Sequence, residues 1–271
     1  NGTVWDTMSS GTAHVLLSAW GTSSSDVFAV GNAGTILHYD GSKWSTMTSS
    51  TANDLYNVWG SSASDVFAVG ISGTILHYNG TAWTPMPSAT ANNLYAVTAT
   101  TATDVYAVGD DGVLHYDGSA WALMRGGNLL RAVWGFSPSA VFAIGDGGIF
   151  GGGILIRYNG DAWVQVGGGT ASKLYGIWGS SSSEAFAVGG EGTVLHYQYG
   201  GFSTTAVPGG YTLRAVWGTS PSNVFAVGDG GTILHYDGVS WSPMASGTTK
   251  QLMGVWGMLS TNDVFAVGAA G

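Results

Sequence analysis

One phrase runs through the chain in seven copies, the last of them incomplete, and this repetition constrains the fold more than any other feature. Its parts are Leu-x-x-Val-Trp-Gly, Asp-Val-Phe-Ala-Val-Gly and Gly-Thr-Ile-Leu-His-Tyr-Asp-Gly-x-x-Trp. The copies lie 39, 39, 36, 44, 39 and 39 residues apart, measured at Trp20, Trp59, Thr98, Trp134, Trp178, Trp217 and Trp256. A period of about 40 residues without helical hydrophobic periodicity is typical of the blades of a β-propeller.

Each copy reads as four short strands, because Val, Ile, Phe, Tyr and Trp cluster between turns rich in Gly, Ser, Asn and Asp. In the second copy these strands are A (Leu55 to Trp59), B (Val66 to Val69), C (Thr74 to Tyr78) and D (from Trp83). The sequence therefore predicts an all-β fold for residues 1–271. We expect a single seven-bladed β-propeller with four antiparallel strands per blade, built from seven repeats of about 39 residues.

The two ends of the chain read as parts of the same blade. The seventh copy stops after its strand B, while Asn1-Gly2-Thr3-Val4-Trp5 matches the start of a strand D. We therefore expect the N-terminal strand D to pair into the last blade and close the ring. The Thr-Ile-Leu-His-Tyr of strand C has no counterpart at this joint, which would leave a sheet edge able to pair with another chain. The start at Asn1 leads us to expect a mature or excised piece of a longer protein.

The composition of the chain argues against nucleic acid and membranes as partners. With 7 Lys and Arg against 16 Asp and Glu, the net charge of -9 would repel nucleic acid and an anionic membrane surface. No apolar run approaches the roughly 18 residues of a membrane-spanning helix, so we predict no membrane insertion. Low charge with abundant Ser, Thr and Gly is typical of bacterial proteins that are secreted or displayed at the cell surface, and we predict that location.

The phrases Val-Phe-Ala-Val-Gly, Gly-Thr-Ile-Leu and Asp-Gly-x-x-Trp carry a family resemblance over essentially the whole chain. They resemble the repeats of BNR/Asp-box propellers, and their order is most similar to the photosystem II assembly factor type. The resemblance implies a propeller fold and, through the assembly factor type, a protein-interaction scaffold. Because propellers carry many unrelated functions, the site must be argued from its own residues.

Side chains repeated in nearly every copy are interpreted as structural. The 12 Trp residues are all accounted for by two repeated positions, six in strand A and six at the start of strand D. One position of strand C holds His38, His77, His115, His196 and His235. These histidines are spread around the ring and cannot converge on one metal ion, so we expect hydrogen-bonded structural residues. The acids before strand B are expected to cap turns.

A function without sevenfold symmetry must lie where the copies differ. The second position of strand A varies most, and the loops between strands B and C carry acids in copies three to six, with an insertion that presents Ile149 and Phe150. We predict a ligand-binding mouth of the central channel formed by Tyr56, Tyr95, Arg131, Tyr175, Arg214, Asp111, Asp146, Phe150, Glu191 and Asp229. Tyr and Arg suit stacking on a sugar or peptide and binding of a carboxylate. A solvated funnel is the alternative for the mouth. For the inserted loop the alternatives are a loop folded back over the channel mouth and a neutral insertion.

Three functions fit this pattern. The first is a non-enzymatic extracellular binding propeller for a polar ligand, with carbohydrate as the main choice, in a lectin-like or adhesion role. The alternative is a protein-interaction or assembly scaffold with one asymmetric patch on the face of the B to C loops. The minor alternative is a glycoside hydrolase or lyase; a sialidase would need three arginines, and only Arg131 and Arg214 are placed at the mouth. No cofactor is predicted, because Asp110, Asp111, Asp146 and Asp229 lack the spacing of a calcium loop, although their oxygens leave Ca²⁺ as an alternative.

Overall fold

The structure, a computed structural model, describes residues 5–147, 152–207, 209–258 and 263–269, and nearly all of its regular structure is antiparallel sheet. The first strand of each sheet contacts the first strand of the next, and the last of these, β25, contacts β1. The described strands therefore form a closed ring around a central channel. In each complete blade the strands are hydrogen-bonded in chain order from the channel outwards.

The strand bounds, blade by blade, are as follows. Blade 1 holds β1 (Leu16–Ser23), β2 (Asp26–Gly31), β3 (Ile36–Tyr39) and β4 (Trp44–Met47). Blade 2 holds β5 (Leu55–Ser62), β6 (Asp65–Gly70), β7 (Ile75–Tyr78) and β8 (Trp83–Pro85). Blade 3 holds β9 (Leu94–Thr101), β10 (Asp104–Gly109), β11 (Gly112–Tyr116) and β12 (Trp121–Gly126). Blade 4 holds β13 (Leu129–Ser137), β14 (Ala140–Asp146), β15 (Gly153–Tyr158) and β16 (Trp163–Thr170).

The second half of the ring continues the pattern. Blade 5 holds β17 (Leu174–Ser181), β18 (Glu184–Gly189), β19 (Thr193–Gln198) and β20 (Gly201–Ala206). Blade 6 holds β21 (Leu213–Ser220), β22 (Asn223–Gly228), β23 (Ile233–Tyr236) and β24 (Trp241–Met244). The last sheet holds β25 (Leu252–Gly257) and β26 (Val264–Gly268). Short 3-10 turns join strands B and C at Asn32–Gly34, Ile71–Gly73, Gly190–Gly192 and Asp229–Gly231.

The all-β propeller is confirmed, but the prediction of seven four-stranded blades is wrong. The described residues form six blades of four strands, and the seventh sheet has two strands only. The reason is that no Thr-Ile-Leu-His-Tyr phrase follows β26 in the sequence, so this sheet has no strand C through which a strand D could be added. The described residues 5–15 form no strand, so they do not provide the predicted pairing of an N-terminal strand D.

Neighbouring blades are held together by one aromatic ring at the centre of each strand B. In the six complete blades this ring is at most 2% exposed, and it belongs to Phe28, Phe67, Tyr106, Phe142, Phe186 or Phe225. Phe28 meets Trp83 of the next blade edge to face, with 6.0 Å between ring centroids and 81° between planes. Trp5 meets Phe225 in the same way, at 6.4 Å and 80°. The N-terminal segment therefore places its Trp where a strand D would, although it is not a strand.

The strand A tryptophans are packing residues, as predicted. Five of the six lie over the glycine at the next strand A position of the adjacent blade, and Trp59 differs because Ala99 stands at that position. A Cβ added to Gly60 would lie 2.6 Å from the ring of Trp20, and one added to Gly21 would lie 3.1 Å from the ring of Trp256. The second contact joins the two-stranded sheet to blade 1. Trp and Gly recur together because the ring needs the space that a side chain would occupy.

The strand C histidines are hydrogen-bonded structural residues, as predicted. Nε2 of His38 lies 2.6 Å from Oδ1 of Asp26, and the imidazole packs on Phe28 with ring centroids 4.7 Å apart. The hydroxyl of Thr22 donates to the same carboxylate. In blade 6 Asn223 takes the place of the acid, 2.6 Å from Nε2 of His235. The unit therefore ties strand C to the A to B turn, and it does not require a carboxylate.

A matched pair of glycine substitutions tests how closely strands A and B approach. A Cβ at Gly189 would lie 2.2 Å from the carbonyl oxygen of Lys173, whereas one at Gly190 would meet nothing closer than 3.7 Å. We expect Gly189→Ala to lower the free energy of unfolding by about 1–3 kcal/mol, because backbone must move, and Gly190→Ala to change it little. Urea unfolding of both variants measures this. Equal effects of the two substitutions would contradict the close approach.

Candidate functional site

The first strands of all seven sheets line a central cavity of about 250 Å³. The variable second position of strand A lies at one end of it. Five side chains at this position, all half-buried, are Tyr56, Tyr95, Arg131, Tyr175 and Arg214. The corresponding residues of blade 1 and of the two-stranded sheet are Leu17 and Met253. These seven residues therefore surround the channel at one strand position.

The five polar and aromatic side chains form one continuous stack, which we call the mouth arc. The rings of Tyr56 and Tyr95 lie 5.4 Å apart. The guanidinium carbon of Arg131 lies 5.7 Å from the ring centroid of Tyr95 and 5.6 Å from that of Tyr175. The guanidinium carbon of Arg214 lies 5.4 Å from the ring centroid of Tyr175. Cation–π contacts of this kind hold each side chain in place and present alternating ring and guanidinium faces.

Both arginines of the mouth arc are fixed by carboxylates of their own blades. Arg131 donates from Nε and Nη2 to the two oxygens of Asp146, at 3.2 and 2.9 Å. Arg214 binds Asp229 in the same bidentate way, at 2.8 and 3.2 Å. The neighbouring sheet also contacts each acid, through Lys173, 3.1 Å from Asp146, and through the amide of Gln251, 2.6 Å from Asp229. These bonds orient the guanidinium planes.

The partner acids follow a rule of position. In blades 3, 4 and 6 the second residue of strand A donates to the acid 15 positions later, as in the 2.9 Å bond from the hydroxyl of Tyr95 to Asp110. Strands A and B are antiparallel, and Leu94 pairs with Gly109 near the end of the blade. Tyr95 and Asp110 each stand one residue from this pair, so the tyrosine side chain can reach the acid. In blades 2 and 5 the matching positions hold Ile71 and Gly190, and strand A carries Tyr.

The electrostatics of the arc follow from these contacts. Burial acts to raise the pKa of Asp146, but hydrogen bonds from Arg131 and Lys173 outweigh it, so the pKa is lowered. The hydrogen bond from Arg214 lowers the pKa of Asp229. Burial raises the pKa of the Tyr95 hydroxyl, which keeps it a donor at neutral pH. The lowered pKa values favour the charged form of Asp146 and Asp229, and the raised pKa values of Tyr56 and Tyr95 favour their neutral form.

A carboxyl whose pKa is lowered by folding makes the free energy of unfolding depend on pH. The contribution is present above the ordinary Asp pKa of about 3.9 and is lost as the pH falls through the lower folded value. We expect Asp146→Asn to cost about 1–2 kcal/mol of unfolding free energy at pH 7 and clearly less at pH 3. Urea unfolding of both proteins at the two pH values measures this. A difference that stays constant would mean that the Asp146 charge does not stabilise the fold.

Two of the predicted residues lie apart from the mouth arc. Asp111 accepts hydrogen bonds from the hydroxyl of Thr90 and, at 2.8 Å, from the amide of Asn92. Glu191 accepts one from Ser172 at 3.2 Å. Both acids thus bind the loops that lead into strand A. Phe150, with the Ile149 beside it, lies outside the described residues.

Sequence reasoning left out three side chains that complete the site. Asp110 belongs to it through Tyr95, and its position directly after strand B, matching Asp146 and Asp229, was the available signal. Lys173 reaches Asp146, and the amide of Gln251 donates to Asp229 at 2.6 Å. These last two contacts cross between sheets, so they depend on the ring geometry.

Among the described residues no group of three or more His, Asp or Glu side chains is arranged to hold a metal ion. The described part of the chain also contains no helix with the length and apolar character needed to cross a bilayer.

Radial antiparallel sheets around a channel lined by their first strands define the class of β-propellers. No protein-family model matches the chain, and no curated protein matches it either. Among solved structures, the chain is similar to YCF48 bound to D1 peptide, with a TM-score of 0.76 and 14% identity over 96% of this chain and 92% of that one.

Two further structures show the same likeness. YCF48 from Cyanidioschyzon merolae gives a TM-score of 0.75 and 16% identity, over 96% of this chain and 94% of that one. The WD40 β-propeller domain of Doa1 gives 0.77 and 11%, over 94% and 90%. YCF48 is a photosystem II assembly factor, so these neighbours agree with the resemblance of the repeats to that type. Membership of the BNR/Asp-box family is not shown, and identities this low establish the shared fold alone.

Proposed function

We propose that this propeller is a protein-interaction scaffold that binds an extended polypeptide segment across the mouth arc. The observation that carries the proposal is the continuous stack of Tyr and Arg from blade 2 to blade 6, with Leu17 and Met253 completing the circle. The stack is rigid, asymmetric and half-exposed. Tyr and Arg are the residues most often found to dominate protein-binding energy, because they offer large flat faces together with fixed hydrogen-bond donors.

The arc suits a peptide in its polar chemistry. A guanidinium has five N–H donors, and Arg131 and Arg214 each direct two of them at an Asp. The remaining donors, with the half-exposed ammonium of Lys173, can bind the carbonyl oxygens of a backbone or a terminal carboxylate. Because Asp110, Asp146 and Asp229 balance the three cations, the mouth has little net charge to attract a strongly acidic ligand.

Carbohydrate binding was the main prediction from sequence, and two observations favour the scaffold instead. Repeated sugar sites would need equivalent exposed aromatic faces in most blades, whereas the strand A tryptophans pack against the next blade. The arc is present once in the ring, which predicts one partner per chain. A propeller of similar fold, YCF48, is bound to D1 peptide, and this likeness supports a peptide partner for the present chain.

The non-enzymatic role, the absence of a cofactor and the secreted or cell-surface location remain parts of this proposal. They rest on composition and on the motifs that the sequence lacks.

A phage-displayed library of random linear peptides and a glycan array, each probed with the same labelled protein, test the proposal. We expect peptides that bind the wild type and lose binding in Tyr175→Ser, with calorimetry showing one site per chain. Tyr211→Ser, at an exposed tyrosine outside the arc, is the matched control and should keep binding. Glycan binding at several sites per chain without peptide binding would overturn the scaffold proposal in favour of a lectin.

A further inference from the structure

The turns between strands C and D lie at the end of the propeller opposite to the mouth, because strand C runs away from it. In five blades this turn begins with an acid or an amide that is followed by Gly. The Oδ1 atom of this first residue accepts the backbone N–H groups two and three positions later, at 2.8 to 3.1 Å. The first residues of the five turns are Asp40, Asn79, Asp117, Asn159 and Asp237. Two turns therefore carry an amide where the other three carry a carboxylate.

The fold requires a glycine directly after each of the two asparagines. Gly80 and Gly160 have φ values of 90° and 102°, in the left-handed region that favours glycine. A Cβ added at Gly80 would also lie 2.8 Å from the Cβ of Ser64. A glycine nitrogen has no Cβ beside it to hinder its approach to the preceding side chain. Asn followed by Gly is therefore the sequence in which the backbone nitrogen attacks the side-chain amide most readily, and these turns cannot replace their glycine.

Asn79 differs from Asn159 in the donors around its side-chain oxygen. Oδ1 of Asn79 accepts the N–H of Thr81 at 3.0 Å, the N–H of Ala82 at 3.1 Å and the hydroxyl of Thr81 at 2.7 Å. Among the described residues, Oδ1 of Asn159 accepts two N–H groups and no hydroxyl, because Asp161 stands where the other turn has Thr81. Asn79 and Thr81 are both exposed, so water reaches the site.

Three donors on one amide oxygen favour addition of a nucleophile to the carbon beside it. When a nucleophile adds to Cγ of Asn79, negative charge builds up on Oδ1, and donors that are already in place stabilise that charge. The turn thus surrounds its own side-chain amide with the equivalent of an oxyanion hole. The set of donors is larger at Asn79 than at Asn159.

We propose that Asn79 is a site of self-modification, at which the folded chain converts the side-chain amide into a carboxyl group. The nitrogen of Gly80 loses its proton to water and forms a bond to Cγ of Asn79. The bond from Cγ to Nδ2 breaks, Nδ2 takes up a proton and leaves as ammonia, and a five-membered imide remains. Water then adds to one of the two imide carbonyl carbons and breaks its bond to the ring nitrogen, which gives aspartate or isoaspartate. One water is consumed and one ammonia is released, and no oxidant or reductant takes part.

The turn accommodates the aspartate product. Asp40 and Asp117 begin equivalent turns, where hydrogen bonds from a Ser hydroxyl and from backbone N–H groups lower the pKa of the carboxyl to about 2. Thr81 supplies the corresponding hydroxyl at Asn79. A carboxylate at this position would keep the turn, whereas isoaspartate adds a methylene group to the main chain and changes the spacing of the donors. We expect Asn79→Asp to leave the thermal midpoint unchanged or to raise it.

The inference does not rest on the proposed function. The reacting groups belong to one turn of blade 2, at the end of the sheets opposite to the mouth arc, and they do not line the channel. Binding of a peptide at the mouth and modification of Asn79 can therefore succeed or fail independently.

The test follows the folded chain in mildly alkaline buffer, with peptide mass mapping that distinguishes asparagine, aspartate and isoaspartate at each position. We expect Asn79 to be converted faster than Asn159, and Asn57, which is followed by Val58, to stay unchanged. The rate should rise with pH, because the attacking nitrogen must lose its proton. Ammonia should appear in the same amount as the amide that is lost.

Two variants test the hydroxyl donor in opposite directions. Thr81→Ala removes the donor and should slow the conversion of Asn79 by about tenfold, which is less than the loss of an oxyanion donor costs in a buried active site. Asp161→Thr adds the donor to the other turn and should speed the conversion of Asn159 by a similar factor. Asp161→Ala is the matched control, because it removes the same charge without adding a hydroxyl.

Three results would overturn the inference. The first is no conversion of Asn79 in the folded chain, whether or not the chain unfolded in urea converts it. The second is an unchanged or faster reaction in Thr81→Ala, which would mean that the turn restrains Asn79 and does not activate it. The third is an equal effect of Asp161→Thr and Asp161→Ala on the conversion of Asn159.

Discussion

Replacing Phe225 by Ala is expected to lower the free energy of unfolding by about 3–5 kcal/mol, the usual cost of emptying a packed aromatic site. The ring is 2% exposed and lies against Trp5 and His235, so its removal leaves a cavity at the joint between blade 6 and the two-stranded sheet. Urea unfolding of wild type and variant measures the loss. The midpoint should fall at unchanged slope if the transition stays two-state.

The matched control is the same substitution at the same strand position of the open sheet. Phe265 keeps its contacts with Trp256 and Tyr39, at 6.0 and 6.2 Å between centroids, but its outer face is uncovered. We expect Phe265→Ala to cost clearly less, roughly half as much, because less apolar surface leaves the core. Equal losses at the two positions would mean that Phe265 is as enclosed as Phe225.

The repeat predicted the strands and their packing, because both are set by short phrases. Alternation and turn residues decide where a strand starts, and a Trp and Gly written together in one copy meet Gly and Trp of the adjacent copies. The number of blades could not be read in the same way. Counting Trp20 and its equivalents counts first strands, and the seventh, at Trp256, belongs to a sheet of two strands. A blade also needs its strand C, and that phrase occurs only in the first six copies.

The N-terminal segment also shows that a repeated phrase can predict one contact without predicting a strand. The Asn-Gly-x-x-Trp phrase correctly places Trp5 against the preceding blade. It did not predict that the residues after Trp5 would form no strand. A strand D is held by its strand C, so the phrase fixes a packing residue without fixing the ladder.

Variation between copies located the mouth arc because repeated scaffolds leave few positions free to differ. The supporting contacts were harder to foresee. Lys173 and Gln251 each stand two residues before the second position of strand A in their own sheets, and both reach an acid of the preceding blade. Such pairs depend on how far one blade is rotated from the next, which the sequence of a single blade does not encode.

Binding at the mouth should be lost, by about 100-fold or more, when Arg131 and Arg214 are both replaced by Met. Each guanidinium presents a face fixed by a bidentate Asp, and truncation of such an anchor typically costs 2 kcal/mol or more. The measurement is the affinity for a peptide selected on the wild-type protein. Arg157→Met is the matched control and should keep the affinity. Arg157 belongs to strand C of blade 4, where it lies over Phe142 and outside the arc.

A companion variant separates contact by the arginine from simple neutralisation of its acid. Arg131→Met alone leaves Asp146 facing Lys173 without its main partner, so a loss of binding could arise from that charge. Arg131→Met with Asp146→Leu removes the pair as a unit, which partly buried ion pairs often tolerate. If the guanidinium face contacts the peptide, binding stays lost in this variant while stability recovers. If binding returns with the second substitution, Arg131 serves only to neutralise Asp146 and its guanidinium does not contact the peptide.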